Sequence, residues 1–173
     1  MANADKPRGF RFGYTLHGGP PSIRHYQIAD ASTTGVYDGD ALYISAGRVA
    51  AVTDGSTAPF GVAAAYTNSS DVTVKIPVYD DLRNTVFIAQ LDDATILGSS
   101  LCGPNLFYDI TATAGTTASN TSLQEIDGNA STHDTLFILD KVDRPDNAWG
   151  GNVDVYCQFH VDIKTTLIAS AAT

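Results

Sequence analysis

Apolar and polar positions alternate most strictly near the end of the chain. From Val153 onward, Val153, Val155, Cys157, Phe159, Val161 and Ile163 share one parity, and Asp154, Tyr156, Gln158, His160, Asp162 and Lys164 share the other. Successive strand side chains point to opposite sides, so this pattern predicts a strand with one buried and one wet face. The run Leu136-Phe137-Ile138-Leu139 is apolar at both parities, as a strand in the middle of a sheet is. Between the two lies RPDNAWGG, Arg144 to Gly151. Pro145 presets φ there, Asp146 and Asn147 can bond their own backbone, and Gly150-Gly151 permits positive φ. Residues 134–164 therefore predict a core hairpin with a wide loop that carries Trp149.

Shorter versions of the pattern fill the rest of the chain. Strands are predicted at Ile23–Ile28, Ala41–Ile44, Val49–Val52, Phe60–Tyr66, Asp71–Tyr79, Thr85–Leu91, Phe107–Thr113 and Ser122–Ile126. Pro77 cannot donate to a ladder, so the Asp71–Tyr79 strand is expected at a sheet edge or at a bulge. Thr95–Leu101 predicts one helical turn with Asp92 or Asp93 as its N-cap. Many short strands at regular spacing indicate a single all-β domain, either a β-barrel or a β-sandwich. Its length of 173 residues is enough to bury roughly 70% of the unfolded surface.

The first 21 residues read differently. Pro7, Gly9, Gly13, Gly18, Gly19, Pro20 and Pro21 exclude a helix of any length. Phe10, Phe12, Tyr14 and Leu16 alternate with Arg11, Gly13 and Thr15, which predicts a short strand pairing with the body or with a neighbour. The expected organisation is an extended N-terminal arm at 1–21, a β-rich body at 22–167 and a tail at 168–173. The opening lacks the apolar core of a secretory signal, and no run reaches the ~20 apolar residues of a membrane helix. Synthesis and use in the cytoplasm are expected.

Charge separates the same two regions. Up to His25 there are four cations against one acid, whereas the rest carries six cations against eighteen acids. A basic arm on an acidic body reads either as a solvated tail or as a tail that grips an acidic partner, and the body itself repels nucleic acid. Cys102 and Cys157 lack metal-type spacing and are expected to be reduced, a disulfide being the alternative. His17-Gly18-Gly19 resembles an oxyanion-hole turn, but no G-x-S-x-G accompanies it. The four histidines are scattered without ligand spacing. Asp80-Asp81 and Asp92-Asp93 are read as turn carboxylates rather than as calcium or catalytic pairs. No cofactor, metal or catalytic residue is assigned, and the protein is not expected to be an enzyme.

The opening Met1-Ala2-Asn3-Ala4-Asp5-Lys6-Pro7-Arg8-Gly9-Phe10 resembles that of the capsid decoration (cement, head-stabilising) proteins of tailed bacteriophages. Their chains often begin M-A-N-x-D-K-P-x-G-F. LDKVDRPDNAWG, Leu139 to Gly150, is similar to their strand, R-x-D-N-x-x-G turn and final alternating strand. The order of features from Phe87 to Asp127 is also similar. The resemblance implies a structural virion protein on the outer capsid surface, often a homotrimer at local threefold positions, that bridges neighbouring major capsid subunits. Partners would be the major capsid protein and further copies of itself, with neither nucleic acid nor membrane involved.

Under that reading Lys6, Arg8, Phe10, Arg11, Phe12 and Tyr14 form the capsid or subunit contact of the arm, with Phe10 and Phe12 filling a partner's pockets. Arg144, Asp146, Asn147 and Trp149 form a second contact in the hairpin loop. A carbohydrate-binding β-sandwich or adhesin is the alternative, with a glycan stacking on Trp149 or on Tyr14, Tyr37, Tyr66 or Tyr79.

Overall fold

β-Branched and aromatic runs bounded by Gly, Asp and Asn fold here into strands and little else. The computed structural model describes residues 3–29, 35–53, 57–68, 70–92, 102–128 and 134–160. Among these the strands are β1 (Arg11–Thr15), β2 (Ile23–Gln27), β3 (Ala41–Ser45), β4 (Arg48–Ala51), β5 (Gly61–Ala63), β6 (Lys75–Tyr79), β7 (Thr85–Gln90), β8 (Asp109–Thr111), β9 (Glu125–Asp127), β10 (Leu136–Lys141) and β11 (Asp154–Phe159). One sheet has the order β1-β7-β11-β10 and a second the order β2-β6-β5-β3-β4, while β8 and β9 form a small ribbon. The architecture is an all-β sandwich rather than a closed barrel.

The main core lies between the two sheets. Phe87 and Ala89 of β7, Val155, Cys157 and Phe159 of β11, and Leu136 and Ile138 of β10 meet Ala41 of β3 and Val62 of β5. A second cluster, including Leu42, Val49, Ala63, Ile76 and Val78, occupies the other face of the five-stranded sheet. Strand β5 and the start of β3 (Ala41-Leu42) are thus buried on both sides, which is why they read as apolar at both parities. The sheet curls around this cluster until Ile28 bridges Val49, with the Ala29 N–H donating to the Val49 carbonyl at 2.8 Å.

The terminal hairpin follows the alternation. Val153, Val155, Cys157 and Phe159 are all fully buried, and β10 pairs antiparallel with β11. Gln158, expected on the wet face, is buried because its amide donates to the Arg83 carbonyl. Cys102 and Cys157 are free thiols. Asp80 accepts hydrogen bonds from Ser22 Oγ (2.8 Å) and the Tyr26 hydroxyl (2.7 Å), and Asp81 accepts from the Asn84 N–H. Both are turn carboxylates, as expected. The helical turn expected at Thr95–Leu101 and the tail at 168–173 lie outside the described residues.

Two expectations are corrected. Pro77 lies in neither an edge strand nor a bulge: β6 runs between β2 and β5 in regular register. Its partner β5 ends at Ala63, and just past that end the Ala64 N–H still donates to the Pro77 carbonyl at 3.0 Å, so the proline costs the sheet only the one reciprocal bond it cannot donate. The arm is extended over residues 3–10 but does not project. Phe10 is only 1% exposed and sits in the main core, its ring 5.0 Å from that of Phe159. Strand β1 then pairs antiparallel with β7 through a bulge between Phe12 and Tyr14. A phenylalanine beside a two-sheet core gains more by filling it than by waiting for a partner, at about 1.5–3 kcal/mol for full burial.

The approach of the arm depends on two glycines. Gly9 (φ +63°) crosses Gly39 (φ +91°) so closely that a Cβ on Gly9 would fall 2.4 Å from Ser122 Cβ and 2.5 Å from the Gly39 carbonyl oxygen. This contact lets the Phe10 N–H donate to the Gly39 carbonyl at 2.8 Å. Gly9→Ala is expected to cost on the order of 2–4 kcal/mol, from the clash and the positive φ together. Urea unfolding checks this; an unchanged midpoint would contradict the crossing.

Asp40, next along, is buried, and burial pushes its carboxyl up to about 6, against hydrogen bonds from Ser122 and the Tyr37 N–H that pull it down. The native state therefore holds this proton up to a higher pH than the unfolded chain. Stability from this group is fully present below about pH 4 and is lost as pH rises through about 6, by on the order of 3 kcal/mol across the whole window and about 2 kcal/mol between pH 4 and 6. In Asp40→Asn that decline should vanish, as denaturant midpoints between those two pH values would show.

Candidate functional site

Turn chemistry at 142–154 builds one wall of the site. The Asn147 side chain donates to the carbonyls of Val142 and Asp154, each at 2.8 Å, and accepts from the Asp154 N–H at 2.9 Å. One buried amide thus replaces the ladder that the strands lose where they splay. Arg144 reaches Asp154 (Nη2 to Oδ2, 2.6 Å) and Asp146 (Nε to Oδ1, 3.5 Å), bracing the outside of the loop. Trp149 is half-buried and packs against the main core.

Residues 3–11 build the facing wall. The Asn3 side chain donates to the carbonyls of Ala148 (2.8 Å) and Gly151 (2.9 Å) and accepts from the Ala148 N–H (3.0 Å). Gln90, at the end of β7, accepts from the Lys6 N–H (2.9 Å) and donates to the carbonyls of Ala4 (3.0 Å) and Asn152 (2.9 Å). Two primary amides, each bonded on both sides, tie the start of the chain to the hairpin loop. Neither was singled out as a site residue in the sequence. Asn3 stood within the opening motif, whereas nothing local marks Gln90, whose partners lie 62 to 86 positions away.

The walls enclose a cleft of about 280 Å³. Lys6, Arg8, Arg11 and Arg144 line it against Asp146 and Asp154. Four of the ten lysines and arginines of a chain of net charge −9 thus converge on one spot. Asp154 takes Arg11 (3.6 Å) as well as Arg144, so one carboxylate serves two guanidiniums. Arg11 Nε is buried and has no hydrogen-bond partner among the described residues. Lys6 and Arg8 are exposed and form no ion pair among the described residues.

Of the ten contact residues expected from sequence, Lys6, Arg8, Arg11, Arg144, Asp146 and Asn147 share this cleft. The others lie elsewhere. Phe10 fills this chain's own core, which removes it as a partner contact, and Trp149 caps that core. Phe12 and Tyr14 belong to β1, an edge strand with one side of its backbone unpaired within the sheet. Phe12 (37% exposed) stacks on Tyr79 with ring centroids 5.7 Å apart, and Tyr14 (43%) meets Tyr156 edge-on at 5.6 Å. Tyr79 is also the register partner of Ile23 in β2, the edge of the other sheet. Both edges therefore border one rim, where Phe12, Tyr14, Leu16 and Ile23 are exposed.

No family model, curated protein or solved structure matches the chain.

Gln90→Ala should leave the cleft with one wall loosened. Three hydrogen bonds are lost, for a cost of about 1–3 kcal/mol, and the Lys6 amide should exchange with solvent markedly faster than in the parent. Hydrogen exchange resolved by residue checks this; unaltered Lys6 protection would mean that the wall is held by other contacts.

Proposed function

We propose that the protein decorates and stabilises the outer surface of a tailed-phage capsid, as a trimer that bridges neighbouring major capsid subunits. The observation that carries the reading is the pairing of its two resembling segments. The opening at 3–10 and the loop after β10 are bonded to each other through Asn3, and together they form the cationic cleft. Segments distant in sequence but joined in one surface suit a shared contact role.

The rim beside the cleft supplies the other requirement of such a protein. An edge strand with free backbone groups and exposed aromatics is a liability for a solitary molecule and an asset for one covered in an assembly. Strand addition along β1, with the side chains of Phe12, Tyr14 and Leu16 covered by the partner, replaces a reaching arm as the mode of contact. Individually modest contacts suffice, since a lattice and a trimer convert them into avidity. Selective binding to the expanded shell then stabilises it by mass action.

In light scattering after size exclusion, the chain is expected to run at about three times 18.2 kDa. It should co-sediment with mature heads of the phage that encodes it and leave unexpanded heads unbound. Tyr14→Lys combined with Leu16→Asp, both at exposed positions, should weaken that binding by about tenfold or more, equivalent to about 1.4 kcal/mol. Failure of the parent protein to sediment with either head form would overturn the reading.

A further inference from the structure

We propose that the cleft between residues 3–11 and the loop linking β10 to β11 is an oxyanion-binding site, taking carboxylate or phosphate groups through Lys6, Arg8 and Arg11. The volume is the first argument. About 280 Å³ lies at the small end for ligand pockets, room for a group of side-chain size rather than a large cofactor.

Charge is the second argument. The chain as a whole repels anions, yet four cations face two acids here. Both acids are already engaged: Asp154 by Arg11 and Arg144, and Asp146 by Arg144. Among the described residues, Lys6 and Arg8 are left over. Like charges held together without a counter-charge repel one another, and an incoming anion relieves that repulsion while gaining charge-assisted hydrogen bonds.

Preorganisation is the third. Arg11 is fixed by its place in β1 and its ion pair with Asp154, and its Nε lacks an acceptor among the described residues. The backbone carrying Lys6 is bonded to Gln90, and Gly9 is closely packed against Gly39 and Ser122. A planar guanidinium already held in position suits the two oxygens of a carboxylate or phosphate. The site stands on the cleft alone, so its failure would leave strand addition at β1 untouched, and the reverse also holds.

The test is a residue-resolved NMR titration of the full chain at low ionic strength with succinate, inorganic phosphate and a capped hexaglutamate peptide. Saturable shifts confined to Lys6, Gly9, Arg11, Ala148 and Asn152 are expected, with affinity falling as salt is added. Lys6→Ala and Arg8→Ala, which break no ion pair among the described residues, should each weaken binding several-fold at unchanged thermal midpoint. Lys75→Gln, on β6 outside the cleft, should leave binding intact. Peptide binding tenfold tighter than either small anion supports the site and identifies an acidic segment of a partner protein as the source. Phosphate or succinate binding at least as tightly supports it with a free oxyanion as the source. No localised saturable shift with any probe, or equal weakening by Lys75→Gln, would overturn the proposal.

Discussion

Phe10 enters the space between the two sheets just after Gly9 has crossed over Gly39, and much of the molecule is arranged around that entry. Its ring meets Phe159, which meets Phe87, which in turn meets Tyr79 from the opposite sheet. Aromatic contacts therefore run from the start of the chain through both layers of the sandwich. The insertion also sets direction. The residues before Phe10 must lie across the hairpin loop, and those after it must run beside β7 as the edge strand. Cleft and rim are the two sides of one anchoring event.

The electrostatics follow from the same placement. An acidic domain usually disperses its few cations, whereas here three come from the opening segment and one from the loop it is bonded to. Asp154 can hold Arg11 and Arg144 together because its own backbone is locked by Asn147. A buried amide thus stands behind an exposed charge arrangement, giving it a rigidity that surface ion pairs on flexible loops lack.

Legibility in the sequence tracked the range of the interactions involved. The terminal hairpin was readable because alternation is local and one face of β11 is fully buried. The β character of the body was readable for the same reason. The destination of the opening segment was not: alternating aromatics announce a strand but not which sheet receives it. Phe10 and Phe12, two positions apart, have quite different fates because Phe10 passes from the glycine crossing straight between the sheets, whereas Phe12 already lies on the edge strand. Pro77 misled because an interior strand tolerates one missing donor where its neighbour is ending, and the length of β5 is a tertiary fact. Within the cleft, every charged residue except Asp154 could be named from composition and resemblance. The amides of Asn3 and Gln90 that bring them together could not, since their partners are main-chain groups remote in sequence.

The bulge in β1 has a consequence for recognition. Without it, Phe12 and Tyr14 would share a face; with it, Phe12 pairs beside Phe87 on the inner side and Tyr14 beside Val86 on the outer side. Gly13 sits at the kink, where a Cβ would approach the Val86 carbonyl oxygen at 3.0 Å. An incoming strand would be flanked by an aromatic ring on each face and would have to follow the same irregular step. A straight, generic strand cannot do so along its whole length. The edge is therefore keyed: open to a partner of matching shape, and a poor template for indiscriminate stacking of flat strands.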